Sequence, residues 1–147
     1  MQNLSDPLKS GPIGIDTAIF IYFIEEHPLF FPAVETLFQA LENDLLQGVT
    51  SGITLLETLI HPLRYRNQQL AWEYEAILTQ SRNLYLIELT IPLLRSAAQL
   101  RADTSMKTPD ALQIAAALSM TCPVFVTNDR QLPKIEALQI LQLEDLM

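Results

Sequence analysis

Apolar residues occur along this chain in two patterns, short uninterrupted runs and longer stretches with helical spacing. The short runs predict five strands, at residues 12–16, 49–51, 84–89, 124–126 and 138–143. Apolar residues three or four positions apart predict helices, at residues 18–24, 28–47, 54–60, 67–81, 92–101 and 109–120. Strands that alternate with helices predict a parallel sheet covered on both faces. We therefore expect an α/β fold with three layers, α/β/α, and a parallel sheet of about five strands.

Glycine and proline positions predict where several elements end. Gly48 is expected to end the second helix, because glycine suits the position after a helix C-terminus. Pro62 is expected to interrupt the helix that begins at Thr54. Residues 1–11 are polar, contain one proline and one glycine, and predict a short N-terminal extension. Residues 12–147 would then form a single domain.

Composition limits the class of protein. A chain of 147 residues, with 49% hydrophobic and 18% charged residues, suits one well-packed globular domain. No segment reaches the roughly 18 uninterrupted apolar residues that cross a bilayer, and the first residues lack the basic start and apolar run of a signal peptide. We therefore expect no membrane association and a cytoplasmic location. The single cysteine, Cys122, excludes a disulfide framework and is expected to be a buried structural thiol.

Four acidic residues carry the candidate chemistry. Each stands where a predicted strand ends or a helix begins: Asp16, Glu57, Asp110 and Asp129. Because a parallel sheet gathers the carboxyl ends of its strands along one edge, these acids would form one cluster there. Carboxylates without basic partners repel one another unless a hard cation such as Mg²⁺ or Mn²⁺ binds between them. The pattern therefore favours a metal-dependent phosphodiesterase that acts on nucleic acid, RNA in particular.

Each acid also has a purely structural explanation. Asp16 could cap the first helix, and Glu57 stands three residues after Thr54, at the spacing of a capping box. Asp110 would suit the positive end of a helix dipole, and Asp129 could form a turn after a strand. The cluster is favoured when the four are taken together, because Ser, Thr or Asn would cap equally well without bringing four charges to one edge.

Four sequence segments resemble a known family. They lie at the first strand end, after the second strand, at the start of the last long helix and at the fourth strand end: residues 15–17, 51–57, 108–117 and 126–130. In order and spacing, the chain resembles a PIN domain of the kind found in VapC-type toxin ribonucleases and their free-standing relatives. The resemblance implies a parallel sheet between helices, a Mg²⁺ or Mn²⁺ site and single-stranded RNA as substrate. It further implies an antitoxin protein as partner, if the chain is the toxin of a type II pair, and a homodimer, which apolar surface around residues 55–80 would suit.

The same match assigns the site residues. Asp16, Asp110 and Asp129 would be direct metal ligands. Glu57 would be a further ligand or would orient the attacking water. Thr127 matches a small hydroxyl residue often found beside such a site and is a secondary candidate. Hydrolysis by a metal-activated water is expected to leave a 5′-phosphate and a 3′-hydroxyl.

The net charge of −8 opposes binding to a phosphate backbone, which usually depends on lysine and arginine. Lys107 and Arg130 lie close in sequence to two of the acids and are candidates for contact with substrate phosphates. Bound cations would offset part of the negative charge, but binding to RNA is expected to be weak without metal or a partner. This charge, and the extension before Asp16, depart from many toxins of the group.

Two other functions compete with the nuclease. A phosphatase of the haloacid dehalogenase type also has an aspartate after its first strand. Its second aspartate, two positions later, is replaced here by Ala18. A catalytically weak domain that binds a partner, such as an antitoxin peptide, without cutting RNA would suit the acidic pI of about 4.6. The presence of all four acids favours the nuclease.

Overall fold

The computed structural model describes residues 6–147, which form a sheet between layers of helix. The strands are β1 Ile13–Ile15, β2 Gly48–Ser51, β3 Leu84–Ile87, β4 Val124–Thr127 and β5 Gln139–Gln142. The helices are α1 Thr17–Ile24, α2 Phe31–Glu42, α3 Gly52–Arg64, α4 Gln68–Gln80, α5 Ile91–Asp103 and α6 Thr108–Ser119. Short 3-10 helices occupy Asp6–Ser10 and Leu143–Leu146.

All five strands run parallel, in the order β3-β2-β1-β4-β5, as the alternation of strands and helices predicts. In the central strand β1, Ile13 pairs with Gly48 of β2 on one side and with Val124 of β4 on the other. Strands β1, β2 and β4 are buried throughout, which is typical of parallel strands covered on both faces. Successive strands are added on one side of β1 and then, from β4 onward, on the other. The gap between β1 and β4 is therefore the switch point at which such sheets bind ligands.

The two faces of the sheet hold two separate apolar cores. On one face α1, α2 and α4 point Phe20, Leu37 and Leu78 inward. On the other face α5 and α6 point Leu93 and Leu112 inward. This arrangement confirms the predicted α/β/α layers.

Helix α6 packs tightly against the sheet. Its residues 111–117 are all buried, and four of these seven are alanine. Gly14 in β1 permits the same approach, because a Cβ there would lie 2.5 Å from Cδ1 of Phe125 and 2.9 Å from Cβ of Ala117. The residues of α6 that follow Asp110 are thereby packed against the sheet.

Helix α2 ends earlier than the sequence predicts. Its last residue is Glu42, and Asp44 has a φ of 61°, in the left-handed region that stops a helix. Gly48 is instead the first residue of β2, where a Cβ would lie 2.7 Å from Cδ1 of Ile15. The glycine serves close strand packing, so the prediction that it ends the helix is wrong.

Helix α3 continues through Pro62, so the prediction of an interruption there is also wrong. The helix begins at Gly52, two residues before the predicted start. Pro62 is buried and lies near the helix end, where the Tyr65 N–H still donates to the His61 carbonyl (3.1 Å). Pro62 has no backbone N–H to donate, but only two residues of α3 follow it, so the helix loses little by this.

The predicted N-terminal extension is described only in part, because residues 1–5 lie outside the described residues. Residues Asp6–Ser10 form the first 3-10 helix. Its Leu8 is 3% exposed and belongs to the core that α1 and α2 share. The described part of the extension is therefore packed onto the domain.

Across residues 6–147, no helix has the length and apolar character required to cross a membrane.

Cys122 is buried, and its burial raises the pKa of the thiol to about 11. The thiol is therefore not activated as a nucleophile.

Candidate active site

The four acids all lie at the carboxyl edge of the sheet. Asp16 directly follows β1, and Asp129 lies two residues after the end of β4, the neighbouring strand. Asp110 lies in the first turn of α6. Glu57 lies in the second turn of α3, the helix that follows β2. Four separate elements thus bring an acid to the switch point between β1 and β4.

These acids are close enough to influence one another's ionisation. Desolvation raises the pKa of Asp110 to about 6, and the charges of the three other acids add to that effect. The nearby Lys107 acts in the opposite direction. Among residues 6–147, none of the four acids forms a salt bridge. The described fold therefore gathers four carboxylates without a salt bridge to any of them, and with Lys107 as a basic neighbour.

Asp16 is held by three neighbours. Its Oδ1 accepts a hydrogen bond from the Thr17 amide (2.9 Å), which makes Asp16 the N-cap of α1. Its Oδ2 accepts from Thr127 Oγ1 (2.6 Å), and Gln113 Nε2 donates to Oδ1 at 3.4 Å. Burial raises the pKa of Asp16, although these hydrogen bonds oppose the shift. Asp16 is thus both a helix cap and a member of the acid cluster.

Thr127 joins two of the acids. Its buried hydroxyl donates to Asp16 and accepts from the Asp129 amide (3.0 Å). Asp129 also forms the turn that its sequence position suggests, because its Oδ1 accepts from the Gln131 amide (2.8 Å). One hydroxyl therefore fixes the end of β4 relative to the end of β1.

Glu57 is bound to the start of α1 rather than to its own helix. Its Oε1 accepts a hydrogen bond from Thr17 Oγ1 (2.8 Å). The capping box with Thr54 does not form, because α3 begins at Gly52 with Ser51 as its N-cap, and Glu57 lies too far along the helix. The structural explanation considered for Glu57 is therefore wrong.

The two basic residues proposed for phosphate contact differ in their surroundings. Lys107 is the N-cap of α6, exposed, and close enough to Asp110 to lower the pKa of that acid. The Arg130 guanidinium instead pairs with the Glu144 carboxylate (2.8 Å). Lys107 borders the acid cluster, whereas Arg130 already has a carboxylate partner.

A model of the PIN domain family matches residues 13–138, a range that contains all four acids. The chain belongs to the PIN domain family. The match runs from β1 to the residue before β5, and so covers nearly the whole described fold of this PIN domain. No curated protein matches the sequence significantly.

Solved structures with the same fold include toxin–antitoxin proteins. A chain of VapBC2 from Rickettsia felis, bound to a DNA fragment from their promoter, is 18% identical, with a TM-score of 0.69 over 88% of this chain and 97% of that one. A toxin–antitoxin complex from Klebsiella pneumoniae is 20% identical, with a TM-score of 0.65 over 87% and 95%. VapC20 from Mycobacterium tuberculosis, a Sarcin-Ricin loop cleaving toxin, is 17% identical, with a TM-score of 0.66 over 81% and 91%. At these identities the likeness shows the PIN fold alone.

The donor groups of this PIN domain fit a hard divalent cation in kind. Carboxylate oxygens are the ligands that Mg²⁺ and Mn²⁺ prefer, and these acids have no cationic partner among the described residues. In spacing the fit is incomplete. Within residues 6–147, no three His, Cys, Asp or Glu side chains stand in an arrangement that could hold a metal ion. The site therefore supplies suitable donors, but their spacing in this structure is not that of a bound ion.

Two residues that hold the acids are not among the site residues predicted from the sequence. They are Gln113 of α6 and Thr17 of α1, both inside segments that resemble the PIN family. Their hydrogen bonds join residues 37 to 97 positions apart, which no local pattern reveals. The signal in the sequence is a glutamine in the otherwise apolar residues 111–117.

Proposed function

We propose that this PIN domain is a metal-dependent endoribonuclease that cleaves single-stranded RNA, and that it is the toxin of a type II toxin–antitoxin pair. The observation that carries the proposal is the meeting of four carboxylates at the switch point without a salt bridge to any of them within residues 6–147. Such a cluster is unfavourable on its own and becomes favourable when a cation binds.

In this proposal three aspartates, Asp16, Asp110 and Asp129, hold Mg²⁺ or Mn²⁺. Such a cation, when bound, supplies Lewis acidity that activates water and offsets charge on the phosphate. Thr17 fixes Oε1 of Glu57, so the other oxygen of this acid is the one that would complete the site or orient the attacking water. Attack by water on the phosphorus would leave a 5′-phosphate and a 3′-hydroxyl.

The substrate would be held near the start of α6. Lys107 is the cation that borders the acid cluster, so it is our candidate for the contact with a phosphate next to the cleaved bond. Arg130 would have to leave Glu144 to make a similar contact. Because the chain carries a net charge of −8, RNA binding would depend strongly on the bound cation. A cytoplasmic location would suit such a substrate.

An antitoxin partner is supported by a groove between α1, α2 and α4. Phe23, Phe38 and Ile77 line this groove, together with Glu35, Glu42 and Arg82. Because Arg82 is already paired with Asp44, the two glutamates are the charges left for a partner, and the groove fits an amphipathic segment that carries basic residues. Two of the similar structures are complexes of a toxin with its antitoxin, which agrees with such a partner.

A homodimer is supported by exposed apolar side chains on a different surface. Leu56, Ile60 and Leu63 stand on one side of α3 and are each about half exposed, and Ile91 and Leu94 of α5 are exposed as well. Large apolar residues at such spacing on a helix surface are typical of a protein–protein contact. The molar mass in solution would test this part of the proposal.

The nuclease proposal is tested by incubating labelled single-stranded RNA with the protein in Mn²⁺, Mg²⁺ or EDTA. We expect cleavage with either metal and none in EDTA or with Asp16→Asn. Asp6→Asn, which changes an exposed acid of the first 3-10 helix, is the matched control and should cleave normally. Cleavage that EDTA does not affect, or that survives in Asp16→Asn, would contradict the proposal. Metal binding and antitoxin binding without cleavage would favour a partner-binding protein instead.

A further inference from the structure

A buried network of one amide and several hydroxyls lies directly beneath the acid cluster. Its centre is Gln113, which is 3% exposed in the apolar helix α6. A buried amide without hydrogen-bond partners is costly, so a glutamine is retained there only where its polar atoms are satisfied. The partners of Gln113 show what it holds.

The orientation of the Gln113 amide follows from its neighbours. Its Oε1 accepts from the Ser51 backbone N–H (3.2 Å) and from Ser51 Oγ (2.6 Å). Because a backbone N–H can only donate, the oxygen must face Ser51 and the Nε2 group must face the other way. There the two N–H groups of Nε2 face three acceptors, Thr54 Oγ1 (2.7 Å), Thr17 Oγ1 (3.1 Å) and, at a longer 3.4 Å, Asp16 Oδ1, so that one N–H is shared between two of them.

Thr17 continues this direction toward the second acid. Its hydroxyl accepts from Gln113 and donates its single proton to Glu57 Oε1 (2.8 Å). The Thr54 hydroxyl lies 3.0 Å from the Thr17 hydroxyl and 2.8 Å from the Thr50 hydroxyl, within hydrogen-bond distance of both. One amide on α6 thus donates directly toward Asp16 and, through Thr17, toward Glu57.

We propose that Gln113 and Thr17 are positioning residues, which hold the Asp16 and Glu57 carboxylates at a fixed separation for the cation. This inference rests on the proposed nuclease function. The two acids come from α1 and α3, helices that start from different strands, and the network joins both to α6, which carries Asp110. Partners of this kind orient metal ligands, and their loss typically lowers metal affinity or activity about 10- to 100-fold.

The central variant is Thr17→Val, which removes the hydroxyl and keeps the shape of the side chain. Thr17→Ser restores the hydroxyl and serves as the rescue. Thr58→Val is the matched control, because Thr58 is a buried threonine of α3 whose hydroxyl donates only to the helix carbonyls of Thr54 and Leu55. Gln113→Met removes the amide with little change in length.

Three quantities are measured on each purified variant: the Mn²⁺ dissociation constant by titration calorimetry, the single-turnover cleavage rate, and the thermal midpoint. We expect Thr17→Val and Gln113→Met to weaken Mn²⁺ binding and to slow cleavage, each by about 10- to 100-fold. Thr17→Ser should return both quantities close to the wild-type values. Thr58→Val should lower the thermal midpoint and leave both quantities unchanged.

The outcomes separate this inference from the function on which it rests. If the wild type binds Mn²⁺ and cleaves RNA while Thr17→Val behaves like Thr58→Val, the positioning role is overturned and the nuclease stands. If the wild type neither binds Mn²⁺ nor cleaves RNA, both are overturned. Should Gln113→Met fail to fold, the comparison of valine and serine at position 17 decides, because Thr17 is only partly buried.

Discussion

Asp44, in the loop after α2, accepts two hydrogen bonds of 2.8 Å from the guanidinium of Arg82, in the loop before β3. These bonds hold the pKa of Asp44 below its ordinary value. At the carboxyl edge of the sheet the opposite occurs, because burial and three acidic neighbours raise the pKa of Asp110 to about 6. The molecule therefore pairs Asp44 with an arginine where that pair joins two loops. At the proposed cation site, by contrast, none of the clustered acids forms a salt bridge within residues 6–147.

The largest expected difference between Asp110 and Asp44 is in the rate of RNA cleavage. Asp110→Asn should reduce the single-turnover rate at least about 100-fold, equivalent to about 2.7 kcal/mol in the activation barrier, because it removes a proposed metal ligand. Asp44→Asn makes the same chemical change at the paired acid and should leave the rate unchanged. Equal rates for the two variants would contradict a catalytic role for Asp110.

The second prediction concerns stabilisation by metal. Mn²⁺ at 100 times its dissociation constant should raise the free energy of unfolding of the wild type by about 2.7 kcal/mol. The gain should be retained in Asp44→Asn and largely lost in Asp110→Asn, as measured by denaturation with and without EDTA. A gain that persists in Asp110→Asn would place the metal elsewhere on the protein.

A smaller effect is expected from pH in the absence of metal. Folding raises the pKa of Asp110 from its ordinary 3.8 to about 6, so folding favours the protonated acid. Its contribution to stability is full below pH 3.8 and is lost as the pH rises through 6. Asp110→Asn should therefore be more stable than the wild type at pH 7.5 by about 1 kcal/mol, allowing for solvent screening. The difference should shrink at pH 5 in urea denaturation; an unchanged difference would contradict the assigned cause.

The smallest effect should come from the surface pair. The pKa of Asp44 is lowered on folding, so its contribution is present above pH 3.8 and is lost as the pH falls through the folded value. Asp44→Asn should lower the thermal midpoint slightly at neutral pH. Because the pair is exposed, added salt should reduce that effect. A large loss that salt does not change would show that Asp44 has a role beyond this pair.

Much of the fold is evident in the sequence because buried parallel strands and helices have distinct apolar patterns. The runs that become β1 and β4 contain no polar residue before Thr127, since α-helices cover both faces of the sheet. The positions of Asp16 and Asp129 follow from the same pattern, because a residue after a parallel strand must lie at its carboxyl edge, whereas Glu57 and Asp110 are placed there as acids near helix starts. Their gathering at the switch point required no knowledge of side-chain contacts.

Other features depend on tertiary contacts that no local pattern contains. Gly48 has the composition of a helix end, and only the approach of Ile15 shows that it belongs in a strand. The pairing of Arg130 with Glu144 joins a loop to the last 3-10 helix. The bonds of Gln113 to three different elements depend on how α6 packs, and a lone glutamine in an apolar stretch gives only a hint of them.

The pairing of β1 with β4 also has a consequence for biosynthesis. Thr127, which donates a hydrogen bond to Asp16, is translated 111 residues after it. Until β4 emerges, the central strand β1 has a neighbour on one side only, so the acid cluster cannot assemble. A nuclease built in this way would stay inert at least until β4 has been translated.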